Sequence, residues 1–347
     1  MKLRSTLVLL LALSLAASAV LAGCGGGGGS TGGGKTSKPT EPPKPAYPDK
    51  PIEMVAPSGA GGGWDTFARG IAKVAADEKL VSQPIQVINK AGGSGAVALA
   101  WMMSSKKGDA YELIVYSPPL IINGLNGTSK YTYKDLTPLV KMITDYNVIL
   151  VKADSPYKTL KDLLEAAKQD PAKVSIGGGS APGSMDHLAY AKIAKAAGIG
   201  VKDIKYVSFQ GGGEALASLL GGHVTAVSSG IGESLGQIEA KTVRALAVTA
   251  DQRLGGVLAG APTVREAGYD VTYQIWRGVF GPAEMPEAAK KYWQDTLTKM
   301  TKTEGWKNIL KTYQWNDALE VEGFGQFLDN EAKIYEQLLG DLGMVKK

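Results

Sequence analysis

The stretch "IEMVAPSGAGGGWDTFARGIA", residues 52–72, joins an apolar run to a glycine-rich loop and an amphipathic segment. The run "IEMVA" predicts a strand, and the spacing of Phe67, Ile71 and Val74 predicts a helix with one apolar face. The same order recurs in "VSIGGGSAPGSMDHLAYAKIA", residues 174–194. Each segment places an aspartate in the first turn of its predicted helix. The recurrence indicates two α/β lobes, each presenting a glycine-rich helix start.

Glycine-rich helix starts are natural sites for anions. The first backbone N–H groups of a helix lack partners within it, and the helix dipole adds positive potential there. We therefore expect both loops to be able to hold an anionic group.

Apolar runs and helical patterns alternate along the rest of the chain, which predicts an α/β protein with largely parallel strands. The tail from about residue 287 is predicted to be mostly helical. Strands are predicted at residues 52–56, 84–90, 111–117, 147–151, 173–178, 203–209, 223–227 and 243–250.

The first residues predict export. A charged start and an apolar run indicate a signal peptide over residues 1–23, and the "LAGC" that ends at Cys24 resembles a bacterial lipobox. Cys24 is then the lipidated first residue of an extracytoplasmic, membrane-anchored lipoprotein at the cell surface or in the periplasm. The alternative is an ordinary cleavage site with an incidental thiol. Residues 24–50, rich in glycine and then proline, predict a flexible linker.

Composition excludes several classes of function. The formal charge of +5 includes Lys2 and Arg4, and the lysines are scattered, so no nucleic-acid partner is expected. The two histidines, His187 and His223, and the single cysteine make no plausible zinc site. Each histidine is interpreted as having a structural or surface role, and we expect no metal and no cofactor.

Enzyme motifs are only approached. The glycine loop lacks the Lys-Ser/Thr of a phosphate-binding P-loop, because Trp64 and Asp65 occupy that region. "GSGAVA", residues 93–98, is a weak match to a dinucleotide fingerprint. The G-x-S-x-G pattern fails after Ser94 and after Ser180, where the last glycine is missing. Asp65 has two interpretations: a first-turn aspartate stabilised by the helix start, or a residue that buttresses the loop or contacts the ligand.

Six stretches, in order, carry a family resemblance: "PIEMVAPSGAGGGWDTFARGIA", "QVINKAGGSGAVALA", "SIGGGSAPGSMDHLAYAKIAKAAGI", "KYVSFQGGGEALASLLGGHVTAV", "VRALAVTADQRL" and "APTVREAGYDVTYQIWRGVFGPAEMPE". The chain resembles the TctC or Bug family, the extracytoplasmic solute receptors of tripartite tricarboxylate transporters. The resemblance implies a two-domain, type II periplasmic-binding-protein-like fold with the ligand in a cleft between the lobes. By position, one domain is residues 50–146 with 272–347, and the other is 147–271.

The resemblance also implies how the ligand is held: by loop N–H groups, small hydroxyls and ordered water, without reliance on an arginine. Turn geometry is the alternative role for these glycines and serines. Trp64 departs from the usual family pattern, and its indole either covers the ligand at the cleft mouth or packs as core. Carried over position by position, the ligand-binding residues are Ser58, Gly59, Ala60, Gly61, Gly62, Trp64, Asp65, Ser94, Gly178, Gly179, Ser180, Ser184, Gln210, Gly211 and Ser229.

These features together predict a monomeric, non-enzymatic receptor that captures a small di- or tricarboxylate, such as citrate, and delivers it to membrane permease subunits. Two alternatives stay open at this point. One is a secreted enzyme that acts on an acidic small molecule in the same cleft. The other is a ligand sensor for a signalling partner.

Overall fold

Ten strands form one mixed sheet in the part of the chain that the computed structural model describes, residues 47–345. The predicted signal peptide, Cys24 and nearly all of the predicted linker lie outside the described residues. The strands are β1 (Ile52–Ala56), β2 (Ile85–Asn89), β3 (Glu112–Tyr116), β4 (Thr137–Lys152), β5 (Ser175–Gly178), β6 (Lys205–Ser208), β7 (Ala226–Gly230), β8 (Val243–Val248), β9 (Gln274–Gly281) and β10 (Asn316–Glu320).

The sheet is parallel at its two ends and antiparallel at its centre. Its order is β2-β1-β3-β9-β4-β7-β5-β6, and β8 and β10 also pair with β4. Strands β2, β1 and β3 are parallel, as are β7, β5 and β6, whereas every pair that involves β4 or β9 is antiparallel. The prediction of largely parallel strands therefore holds at the ends of the sheet and is wrong at its centre.

Strand β4 connects the two halves of the sheet. Its first part pairs with β9 and β10, where Tyr146 lies opposite Gln274. Its second part pairs with β7 and β8, where Asn147 lies opposite Gly230. This change of partners supports a domain border between residues 146 and 147. The division into residues 50–146 with 272–347 and residues 147–271 stays a proposal.

Helices cover the sheet, and several begin directly after a parallel strand. The first, α1, buries Phe67, Ile71 and Val74, the face that the sequence predicts. No helix in the described range is long and apolar enough to cross a bilayer. The helices are α1 (Gly63–Asp77), α2 (Ala96–Ser105), α3 (Pro119–Leu125), α4 (Leu160–Gln169), α5 (Met185–Ala196), α6 (Gly212–Leu220), α7 (Ile231–Glu239), α8 (Glu287–Met300), α9 (Glu304–Tyr313) and α10 (Phe324–Asp341).

The apolar core follows the two halves of the sheet. The largest cluster surrounds β1, β3, β9 and the first part of β4, and includes the fully buried Trp293 and Trp306. Two smaller clusters lie on the two faces of the other half, around Ile176 and around Leu216. Because both halves are firmly packed, the loops at the carboxyl ends of their parallel strands are held in place. Such loops are where open α/β sheets bind ligands.

Candidate functional site

A cavity of about 200 Å³ lies where the loops of the two halves meet. It is smaller than the roughly 300–1,000 Å³ of pockets for drug-sized ligands, which indicates a small ligand. Its walls are Pro57, Ser58, Gly62, Gly63, Trp64, Gly92, Gly93, Ser94, Pro119, Gly179, Ser180, Ala181, Met185, Asp186, Ser208, Phe209, Gln210, Gly211, Glu233 and Arg277.

Three helices point their N-termini at this cavity. The first residues of α1 and α5, Gly63 and Met185, line it, and so does Gly211, the N-cap of α6. The first N–H groups of these helices, which lack partners within their own helix, and the helix dipoles converge on one space from both halves of the sheet. The convergence gives the cavity a positive backbone potential suited to an anion.

Loops from the two halves touch across the cavity. Gly59 N donates to Gln210 O at 3.3 Å, and Ala181 N donates to Ser94 Oγ at 2.6 Å. Gly63 N donates to the carboxylate of Glu233. The loops therefore enclose the cavity from opposite sides.

The structure brings about half of the sequence-predicted binding residues to the cavity wall. Those that line it are Ser58, Gly62, Trp64, Ser94, Gly179, Ser180, Gln210 and Gly211. Those that do not line it are Gly59, Ala60, Gly61, Asp65, Gly178, Ser184 and Ser229.

Asp65 lies behind the first loop and supports it. Its Oδ2 accepts from Gly61 N at 2.9 Å, and its Oδ1 accepts from Asn89 Nδ2 at 2.9 Å. Arg69 Nε lies 2.9 Å from Oδ1. Although burial opposes it, this set of donors holds the pKa of Asp65 below its usual value. The geometry corresponds to the buttress interpretation and places the carboxylate away from the ligand space.

The other residues outside the wall lie in the loops and turns around it. Ser229 Oγ donates to Glu233 at 3.1 Å, and Gly178 O accepts from Phe209 N at 2.9 Å. Ser184, the N-cap of α5, is fully buried. Ala60 and Gly61 are exposed at the tip of the first loop. Their positions correspond to the turn-geometry alternative.

Trp64 is both buried in the core and exposed to the cavity. It is only 8% exposed and packs edge-on against Tyr116 with ring centres 5.7 Å apart. Its Nε1 donates to Ser117 Oγ at 3.0 Å. Because the indole also lines the cavity, it is part of the core and forms part of the wall.

Sequence reasoning missed the three charged side chains of the wall: Asp186, Glu233 and Arg277. Arg277 is 1% exposed, and its NH2 lies 3.0 Å from Oδ2 of the fully buried Asp145. The available signal was a lone arginine inside the apolar strand "QIWRGVFG". The resemblance implied no reliance on an arginine, whereas this cavity contains one.

Burial sets the ionisation of these acids. It raises the pKa of Asp186 to about 8, with repulsion from Glu233 adding to the shift. Burial also raises the pKa of Glu233 and of Asp145, while the Arg277 guanidinium opposes both shifts. The cavity wall therefore contains the Arg277 guanidinium, which pairs with Asp145 behind it, and two further carboxyl groups.

His187 lies beside the site and is held by other contacts. Its Nδ1 accepts from Gly183 N at 2.8 Å, and its ring stacks on Tyr206 at 4.5 Å. Burial lowers the pKa of His187 to about 4, so the ring is neutral at pH 7. His223 is exposed. Neither histidine lines the cavity.

A family model described as "Tripartite tricarboxylate transporter family receptor" matches residues 67–343. The chain belongs to this family. The receptor is 32% identical over 247 residues to Protein BugT of Bordetella pertussis, which covers 68% of this chain and 72% of that protein. Members of the family are solute-binding receptors, so the chain is a receptor and not an enzyme.

Two solved structures from Rhodopseudomonas palustris share the receptor's fold. Rpa4515 with adipate has a TM-score of 0.79 and 24% identity, and the match covers 86% of this chain and 99% of that one. MatC with bound malate has a TM-score of 0.73 and 23% identity, with coverages of 84% and 100%. The receptor has the two-domain α/β fold of periplasmic solute-binding proteins.

Proposed function

We propose that this receptor captures a small organic carboxylate, in the di- or tricarboxylate class that includes citrate, and delivers it as a monomer to the permease subunits of a tripartite tricarboxylate transporter. The observation that carries the proposal is the cavity at which α1, α5 and α6 begin. Desolvated N–H groups and helix dipoles stabilise a carboxylate there without requiring a full counter-charge.

The proposed contacts are those that the wall offers. Ser58, Ser94 and Ser180 contribute hydroxyls. The backbone of Gly62, Gly179 and Gly211 allows a ligand to approach closely. Gln210 and Trp64 complete the wall. Gly59, Ala60, Gly61, Asp65, Gly178, Ser184 and Ser229 hold the loops. Two family-fold neighbours were solved with adipate and with malate, which supports the carboxylate class.

Calorimetry with citrate, malate, succinate and adipate tests the proposal. We expect at least one acid to bind with a micromolar or lower Kd and to raise the melting temperature, because a ligand at 100 times its Kd adds about 2.7 kcal/mol of stability. The corresponding neutral amides are the matched control and are expected not to bind. Failure of every carboxylate at millimolar concentration would refute the carboxylate class.

We also propose that Cys24 carries a lipid that anchors the receptor outside the cytoplasm. Cys24→Ser is expected to move the receptor from the membrane fraction to the soluble fraction, because a serine cannot form the thioether to a lipid. Fractionation and immunoblotting measure the change. Ser30→Ala, in the same linker, is the control and is expected to stay membrane-bound. Retention of Cys24→Ser in the membrane would contradict the anchor.

A further inference from the structure

A second groove runs along the edge strand β8, apart from the ligand cavity. Its volume is about 740 Å³, and none of the residues that line it lines the cavity. Residues 243–246 of β8 line it consecutively. The carboxylate site therefore leaves this surface without an assigned role.

The outer edge of β8 is open along the groove. In the part of the chain that the structure describes, β4 is the one strand that pairs with β8. On the outer side, Val248 N donates to Pro262 O at 2.9 Å, and Val248 O accepts from Val264 N at 2.9 Å. Residues 243–246 have no such partners among residues 47–345. Unpaired N–H and C=O groups on a strand edge are a template for pairing with another strand.

Apolar side chains from both faces of the sheet line the groove. Leu160, at the start of α4, and Leu246 pack on one face. Ile238, near the end of α7, and Val243 pack on the other. Val257 also lines the groove and is 40% exposed. A strand added to β8 would therefore lie between two helix layers and meet apolar surface on both of its faces.

The groove carries uncompensated positive charge. Four cationic side chains line it: Lys158, Lys161, Lys241 and Arg244. None of the four forms an ion pair with a described residue. The one lining acid of the described chain, Glu266, is paired with Arg253 at 2.9 Å. The charge of the groove is thus complementary to an acidic partner.

Arg244 is held in place by neutral groups. Its NH1 donates to Ala153 O at 2.8 Å, and its NH2 donates to Tyr157 O at 2.7 Å. Its Nε is buried and has no acceptor among the described residues. Because carbonyl groups carry no net charge, these bonds orient the guanidinium without cancelling its charge.

We propose that this groove binds an extended, acidic segment of a partner protein, which pairs with residues 243–246 as an added strand. Backbone hydrogen bonds to the edge of β8 hold the segment in line with the sheet. Its Asp or Glu side chains lie against the four cations, and its apolar side chains pack on the walls. The site is separate from the ligand cavity, so its failure would leave the proposed carboxylate receptor standing.

Two other occupants fit the groove less well. A second copy of this chain, paired edge to edge, would bring the same four cations against one another, and like charges disfavour such pairing. A small anion would meet the cations but would leave the strand edge and the apolar walls without a partner. An extended acidic segment meets all three features.

A labelled, end-capped peptide of about seven alternating glutamate and valine residues, long enough to span the open edge, tests the proposal by fluorescence polarisation on the full receptor. Two controls are a lysine–valine peptide and an acidic peptide with proline in place of valine, which keeps the charge but cannot pair as a strand. We expect the first peptide to bind at least about tenfold more tightly than either control. Equal binding of the proline peptide, or no binding of the first peptide at millimolar concentration, would overturn the proposal.

Charge reversal in the groove gives a second test. The double variant Lys161→Glu with Lys241→Glu is expected to bind the acidic peptide at least about tenfold more weakly. The control, Lys202→Glu with Lys205→Glu, reverses two exposed lysines elsewhere in the same half of the sheet and is expected to bind it as the wild type does. Both variants are expected to keep their affinity for the carboxylate ligand, which shows that they are folded. An equal loss of peptide binding in both would mean that net charge alone attracts the peptide and would overturn the site.

Hydrogen exchange locates the bound peptide. We expect the amides of residues 243–246 to exchange about tenfold or more slowly when the receptor is saturated with the acidic peptide, because pairing protects edge N–H groups. Protection confined to other segments would contradict strand pairing at β8. Sedimentation of the receptor alone as a dimer whose formation excludes the peptide would assign the edge to a second copy and would also overturn the proposal.

Discussion

Arg277→Met is expected to lower the free energy of unfolding by about 3–5 kcal/mol, because it leaves Asp145 as a buried carboxylate without its partner. Both side chains are at most 1% exposed, and the atoms NH2 and Oδ2 lie 3.0 Å apart. Whole domains have only about 5–15 kcal/mol of stability, so this loss is large. Urea unfolding of the wild type and the variant measures it.

The same substitution is expected to weaken carboxylate binding by about tenfold or more, since Arg277 is the cationic side chain of the described cavity wall. Its Nε has no acceptor among the described residues. Calorimetry with the best-binding acid measures the change. Unchanged affinity would remove Arg277 from the ligand site.

The stability cost of Arg277→Met is expected to depend on pH. Burial already raises the pKa of Asp145, and loss of the guanidinium raises it further. A carboxyl whose folded-state pKa lies above its unfolded value contributes stability that is lost as pH rises through the folded pKa. The deficit is therefore smallest near pH 4 and grows toward neutral pH. A deficit that does not change with pH would contradict this account.

Two further variants distinguish the effect of losing the buried ion pair from the effect of losing any arginine. Arg253→Met removes an exposed pair with Glu266, at 2.9 Å, and is expected to leave the free energy of unfolding nearly unchanged. Asp145→Asn added to Arg277→Met removes the stranded charge, so we expect it to restore stability but not binding. A double variant as unstable as the single one would mean that packing, rather than charge, sets the cost.

The glycine-rich loops could be predicted from sequence because their signals are local. "APSGAGGG" and "GGGSAPGS" each join a strand to a helix within a few residues, and the structure places α1 and α5 after them. Helix periodicity also identified the buried face of α1. Turn residues and periodicity depend on neighbours in the chain, so one sequence is enough to read them.

The centre of the sheet depended on long-range pairing that no local pattern shows. Only residues 147–151 of β4 were predicted as a strand, because residues 137–146 mix polar and apolar residues. In the structure, that first part of β4 pairs with β9 and β10. In the chain, β9 comes after all the strands of the second half of the sheet. Its antiparallel pairing with β4 made the centre differ from the expected parallel arrangement.

The charged groups at the wall, and Asp145 behind it, were missed for the same reason. Asp145 and Arg277 are 132 positions apart in sequence, and each alone could be a surface residue. Asp186 was read only as a first-turn aspartate, and Glu233 lies in an ordinary helical pattern. Whether these charged side chains come together depends on the fold. Glycines such as Gly62, Gly179 and Gly211, in contrast, indicate by residue type a place where the backbone can be approached closely.

Gly179→Ala is expected to weaken ligand binding by about 100-fold, because a single methyl group at this position pushes two walls of the cavity apart. Its Cβ would lie 2.8 Å from Gly211 Cα and closer still to Gly212 N. Backbone atoms cannot rotate away, so one loop must move, and a displacement of about 1 Å is enough to misalign a binding site. We expect an unfolding cost of about 1–3 kcal/mol from overpacking.

Two other glycines make the matched controls for Gly179→Ala. A Cβ at Gly213, two residues beyond Gly211, meets nothing within 4 Å, so Gly213→Ala is expected to keep full affinity and to gain up to about 1 kcal/mol of helix stability. Gly61 has φ +78° and equally open surroundings, so Gly61→Ala is expected to cost about 1–2 kcal/mol of stability through backbone strain while affinity changes little. Calorimetry and urea unfolding of the three variants separate steric displacement of the wall from strain in the loop. Equal affinities for all three would mean that the contact between Gly179 and Gly211 does not shape the ligand site.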